Sequence, residues 1–141
     1  MTVVDIRTFF LGYVLSILLC TIVMTSLWWQ NRKRRPEIAL WLIDYLLQFA
    51  GLLLITFRGK VPNFASIVLA NVFIIAGTVI LYKGLGFYVG KVIRQWHNYA
   101  MIAVFALVHS YLTYVYPDIA LRTANLSLAL FYICAQCSWL M

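Results

Sequence analysis

Residues 30–85 read QNRKRRPEIALWLIDYLLQFAGLLLITFRGKVPNFASIVLANVFIIAGTVILYKGL. A basic knot, Arg32, Lys33, Arg34 and Arg35, opens an apolar run over 37–57. That run stops at Arg58-Gly-Lys-Val-Pro-Asn63, where Gly59 and Pro62 punctuate a turn. A second apolar run then returns over 64–82 to Lys83. An α-helix rising about 1.5 Å per residue needs about 20 residues to cross a hydrocarbon layer of about 30 Å. Two runs of that length, one tight turn and one strongly basic flank spell a membrane hairpin.

The rest of the chain extends the same pattern. Of 141 residues, 65% are hydrophobic and 11% charged, with a mean hydropathy of +0.92. A soluble domain carries about 25% charged residues, so this composition belongs in lipid. The apolar runs are continuous rather than alternating, which selects helices over a barrel. Further spans are predicted over 9–29, 99–116 and 119–139, flanked by a short tail over 1–8. The fold class is therefore an all-α integral membrane protein with five transmembrane helices, a single membrane domain over 1–141. The first run is too long for a signal peptide's apolar region, and its Arg7 is balanced by Asp5. Between Lys83 and Asn98, apolar residues mix with Lys91 and Arg94, which predicts a short interfacial amphipathic helix. Pro117 breaks the fourth span, and Asp118 suits the N-cap of the fifth.

The net charge of +7 comes from eleven Lys and Arg against four Asp and Glu. Bases that lie between apolar runs set orientation and attract anionic headgroups; they do not point to nucleic acid. One side receives Arg32, Lys33, Arg34, Arg35, Lys83, Lys91 and Arg94; the other receives Arg7, Arg58, Lys60 and Arg122. Seven against four places the knot in the cytoplasm, the N-terminus outside and the C-terminus inside. Cys20, Cys134 and Cys137 all lie in apolar runs, so they read as small packing residues rather than a disulfide or metal framework.

Few polar residues interrupt the spans. Asp44 is a carboxylate inside hydrocarbon, which must find a partner, a water pocket or the headgroups. It reads as a hydrogen-bonded packing residue, with a proton or cation path as the alternative. Gln48 follows it by one helical turn on the same face. Asn71 is a further interhelical hydrogen-bonding candidate. His109, inside the fourth span, is read first as structural. A haem ligand is the alternative, and would require a second copy of His109, because His97 is too far along the helix. Ala70, Gly77 and Gly84 recur every seven residues, and Ser66 precedes Ala70 by four, which makes a helix-packing seam. No metal site, phosphate-binding loop or catalytic motif is present in the sequence, so no catalytic residue is assigned.

One resemblance goes further. Phe57-Arg-Gly-Lys-Val-Pro-Asn63, Ser66-Ile-Val-Leu-Ala-Asn71, Gly77 and Leu81-Tyr-Lys-Gly-Leu85 look like the N-terminal multi-span region in front of bacterial diguanylate cyclase (GGDEF) domains. The opening Asp5-Ile-Arg-Thr-Phe-Phe and the Arg35-Pro36 step fit the same pattern, so the likeness covers roughly residues 5–90. Arg58, Gly59, Pro62, Asn71 and Gly84 are carried over as hallmark positions without roles. The resemblance implies an inner-membrane sensor whose cytoplasmic part makes cyclic di-GMP from GTP as a dimer. The GGDEF motif itself is absent, so the expectation is a non-enzymatic membrane part of a longer signalling protein. Its sensing candidates are Asp44, Gln48, Asn71, His109 and Arg58, its partner a second copy of the chain, and no cofactor is expected. A small transporter using Asp44 and His109 is the competing reading. A haem-binding membrane protein is a third.

Overall fold

The computed structural model describes residues 6–141, all of it helix and short connections. Residues 1–5, with Asp5 of the quoted opening, lie outside the described residues. Five α-helices follow in order: α1 (Ile6–Asn31), α2 (Glu37–Thr56), α3 (Ala70–Tyr88), α4 (Trp96–Tyr114) and α5 (Ile119–Leu140). A π-helical segment, Phe64–Leu69, leads directly into α3. Four stretches are long and apolar enough to cross a membrane: Phe10–Asn31, Glu37–Thr56, Phe64–Tyr88 and Ile119–Leu140. The protein is thus an all-α bundle of multi-span membrane character. The fourth expected span, α4, falls outside that set, because His97, Asn98, His109 and Ser110 dilute its apolar content.

The hairpin of α2 and α3 is the centre of the bundle. α1 packs on α2, and α5 packs on α3, while α4 lies against α5, the π-helical segment and α3. Near one end of α4, Asn98 meets Gln136 of α5; toward the other, His109 meets Asn71 at the start of α3. α4 therefore runs antiparallel to both neighbours. The buried core collects Ile75, Val79 and Tyr82 of α3, Phe105 of α4, and Ala129 and Ile133 of α5.

Small residues let α2 and α3 approach. A Cβ on Gly51 would stand 2.7 Å from Ala70 O, and one on Gly84 would stand 2.7 Å from Trp41 Nε1. Gly77 likewise faces Asp44. The Ala70, Gly77 and Gly84 seam therefore faces α2 of the same chain. The outward surfaces of α1, α4 and α5 carry large exposed apolar residues, among them Leu19, Leu107, Leu128 and Phe131. Such a continuous apolar exterior suits acyl chains, not water.

Two connections differ from the sequence expectation. Within the described residues, the first helix already includes residues 6–8 of the predicted tail. The third runs on to Tyr88, and no separate amphipathic helix forms over 83–98; residues 91–95 are irregular before α4. Gly90, at φ +74°, ends α3. Its N–H donates to Phe87 O at 3.1 Å and that of Lys91 to Gly86 O at 2.8 Å, the paired closure of a left-handed helix terminus. Basic residues beside glycine mark a helix stop there. Asp118 caps α5 as expected, its Oδ1 accepting from the N–H groups of Ala120 at 2.7 Å and Leu121 at 3.1 Å.

Candidate ligand cavity

The turn that closes the hairpin also shapes a site. α2 ends at Thr56, and Gly59 adopts φ +95°, a left-handed conformation open to glycine at little cost. Lys60 and Val61 both donate their N–H groups to Phe57 O, at 3.0 and 3.3 Å. The chain re-enters through the π-helical segment, where the N–H of Ala70 reaches back five residues to Ala65 O. Such wide turns recur at functional sites because they displace side chains from the regular helical register. Ser66 and Ile67, both buried, lie on this segment.

Beside it is a cavity of about 190 Å³. Its polar lining is Arg58, Ser66, Asn71, His109, Arg122 and Thr123. Ile55, Ile67, Ile119 and Leu126 form the apolar wall. These residues come from α2, the turn, the π-helical segment, α3, α4 and α5. Three sequence candidates, Arg58, Asn71 and His109, are thereby brought to one place.

The hydrogen bonds there are directional. Asn71 Nδ2 donates to Ile67 O at 2.6 Å and lies 3.3 Å from His109 Nε2. If the Asn71 amide donates to the ring, Nε2 is the acceptor and the imidazole is the tautomer with its proton on Nδ1. His109 is 2% exposed, and its Nδ1 has no hydrogen-bond partner. The ring stacks on Phe105 with centroids 5.1 Å apart. The ring is buried between α3, Phe105 and the cavity. Among the described residues, no three His, Cys, Asp or Glu gather as metal ligands.

Asp44 and Gln48 are elsewhere. Gln48 Nε2 donates to Asp44 Oδ1 at 2.8 Å, and Asp44 is 2% exposed against Gly77. Among the described residues the only ion pair joins Arg35 to Glu37 at 3.3 Å, so no base reaches Asp44. The pair lies apart from the cavity lining.

Two groups of residues escaped the sequence reading. Arg122 appeared there only as a base on the minority side, although an arginine inside a predicted span is itself a signal. The other group is a carboxamide cluster linking α4 to α5. Asn98 Nδ2 donates to Gln136 Oε1 at 3.1 Å, and Gln136 Nε2 donates back to Asn98 Oδ1 at 3.0 Å. Asn98 Nδ2 also donates to Gln95 Oε1 at 2.8 Å, and His97 lies 3.4 Å from Gln136. Comparison with protein-family models, with curated proteins and with solved structures finds no match.

Proposed function

We propose that the chain is the sensory input module of a longer membrane signalling protein. The observation that carries this is the cavity beside the Arg58–Asn63 turn, whose lining draws on α2, α3, α4 and α5 together. A ligand held there contacts all four helices, so any preference for one helix packing over another becomes a shift in that packing. A signal arriving at one end of a bundle reaches the other end by such rigid-helix displacements. The resemblance to regions preceding diguanylate cyclase domains supplies the output: cyclic di-GMP made from GTP by a cytoplasmic part outside this sequence.

In this reading all five helices cross the membrane. α4 is 19 residues long, about the length needed to cross, and packs antiparallel to α3 and α5. Its polar side chains are tolerated because Asn98 and His109 face protein rather than lipid. The basic knot puts the α1–α2 connection in the cytoplasm of a bacterial inner membrane, against anionic headgroups, and the cavity on the outer side. A homodimer would assemble through the exposed apolar faces, since α2 already covers the glycine seam.

The test is the whole gene product. The reading frame following Met141 is expected to encode a GGDEF-type domain, and membranes containing the protein should convert GTP to cyclic di-GMP. Turnover should change severalfold when the cavity end is altered by N71L. A reading frame without an output domain would overturn the proposal.

A further inference from the structure

Resting on the sensor reading for its biological role but not for its chemistry, we infer that the cavity beside the Arg58–Asn63 turn binds a small organic monocarboxylate with a short apolar tail.

The charge of the site leads to this. Two arginines and no acidic residue line the cavity. Among the described residues neither Arg58 nor Arg122 has a carboxylate partner, and Arg122 spends only its Nε, on Asp118 O at 3.3 Å. Guanidinium groups present paired donors that match a carboxylate. Ser66, Asn71 and Thr123 add neutral polar groups to the lining. His109 lines the cavity, is 2% exposed, and its Nδ1 has no hydrogen-bond partner within the protein.

Topology strengthens the point. Arg58 and Arg122 are two of the four bases that lie opposite the basic knot, where the positive-inside tendency disfavours them. Both line the cavity, which explains why they are there. The remaining wall, Ile55, Ile67, Ile119 and Leu126, offers only hydrocarbon. That wall rejects inorganic phosphate, whose charge and hydration extend on every side, and accepts an alkyl chain. An engineered apolar cavity of ~150 Å³ accepts the six heavy atoms of benzene. At about 190 Å³, this one suits a ligand of somewhat similar size, such as butyrate.

The experiment is calorimetric titration of sodium butyrate into the full 141-residue chain in zwitterionic lipid nanodiscs, against sodium chloride, inorganic phosphate and butylamine. Saturable binding of butyrate is expected, with phosphate and butylamine at least about tenfold weaker. R58Q and R122Q should each weaken butyrate about tenfold or more, the loss of one charge-assisted contact. K60Q, a neighbouring base that is not in the lining, should leave binding unchanged. Circular dichroism of each variant separates lost binding from lost fold, and R122K, which keeps the charge, provides a second folded probe if R122Q unfolds. A series from butyrate to octanoate distinguishes sources: affinity that levels off with chain length marks a water-borne acid, whereas affinity that keeps rising marks a membrane fatty acid. Butyrate heats equal to those of chloride, or phosphate binding as tightly as butyrate, would overturn the inference. Butyrate binding without any effect on cyclic di-GMP output would retain the site and reject the sensor reading. A GTP-dependent output with no butyrate binding would do the reverse.

Discussion

Asp44 and Gly77 fill adjoining space across the α2–α3 contact: a Cβ on Gly77 would stand 2.6 Å from Asp44 Oδ1 and 3.2 Å from Asp44 O. The absence of a side chain at Gly77 leaves room for the buried Asp44 side chain between the two helices. Gly77→Ala gains up to about 1 kcal/mol of helix propensity. It also overpacks a site where Asp44 is short, 2% exposed and held by Gln48, at a cost of about 1–3 kcal/mol. The clash wins, so G77A should lower stability by about 1–2 kcal/mol in reversible unfolding in mixed micelles. In a D44A background the same change should cost much less, and the double-mutant cycle reads the coupling directly. An additive cycle would mean that the two side chains do not compete for this space.

The same contact separates packing from transport. Asp44→Asn keeps an acceptor for Gln48 Nε2, now 2.8 Å from Oδ1, so its stability should stay within about 1 kcal/mol of the parent. Asp44→Leu strands that amide and overfills the space at Gly77, so a loss of about 2 kcal/mol or more is expected. Proton flux into liposomes should match empty vesicles for the parent and D44N alike. Flux in the parent that disappears in D44N would replace packing with a proton path.

Asn98 and Gln136 join α4 to α5 by two reciprocal hydrogen bonds, at 3.1 and 3.0 Å, and Asn98 is 0% exposed. Polar pairs between membrane helices contribute about 0.6–2 kcal/mol, and removing one partner strands the other. Asn98→Leu alone should therefore cost about 1–3 kcal/mol. Leu at both positions should recover part of that loss, because no carboxamide then remains unpaired between them. The measurement is again reversible unfolding, and equal destabilisation of single and double variants would show that shape rather than hydrogen bonding sets the cost.

What the sequence disclosed follows from how local each feature is. The hairpin was legible because two apolar runs and a Gly–Pro turn are each written in consecutive residues. The seam was legible as a seven-residue repeat, but not the surface it meets. That depends on Gly51, Trp41 and Asp44 of α2 presenting complementary shapes. α4 was harder, since its polar residues lower apolarity while burial hides them from lipid. The carboxamide clamp joins residues 38 apart, and nothing near either one announces the other. The cavity was half legible. Arg58, Asn71 and His109 stood out as polar residues in or beside apolar runs, whereas Arg122 joins them only through the antiparallel return of α5.

The hydrogen-bond assignment at His109 can be read without perturbing the protein. Asn71 Nδ2 is fixed by its 2.6 Å bond to Ile67 O, so it cannot present an acceptor to the ring at 3.3 Å. If Asn71 donates to Nε2, the imidazole is the tautomer with its proton on Nδ1. Selective ¹⁵N-histidine labelling yields signals from only His97 and His109, which His97→Gln assigns. His109 should show a protonated Nδ1 and a bare Nε2 that persist on hydration of the sample. Asn71→Leu removes the donor to Nε2 and should release the preference, mixing the two tautomers. Butyrate bound in the cavity should shift the His109 ring signals and leave those of His97 unchanged, since only His109 lines it. A proton found on Nε2 in the parent would show that Asn71 merely touches the ring.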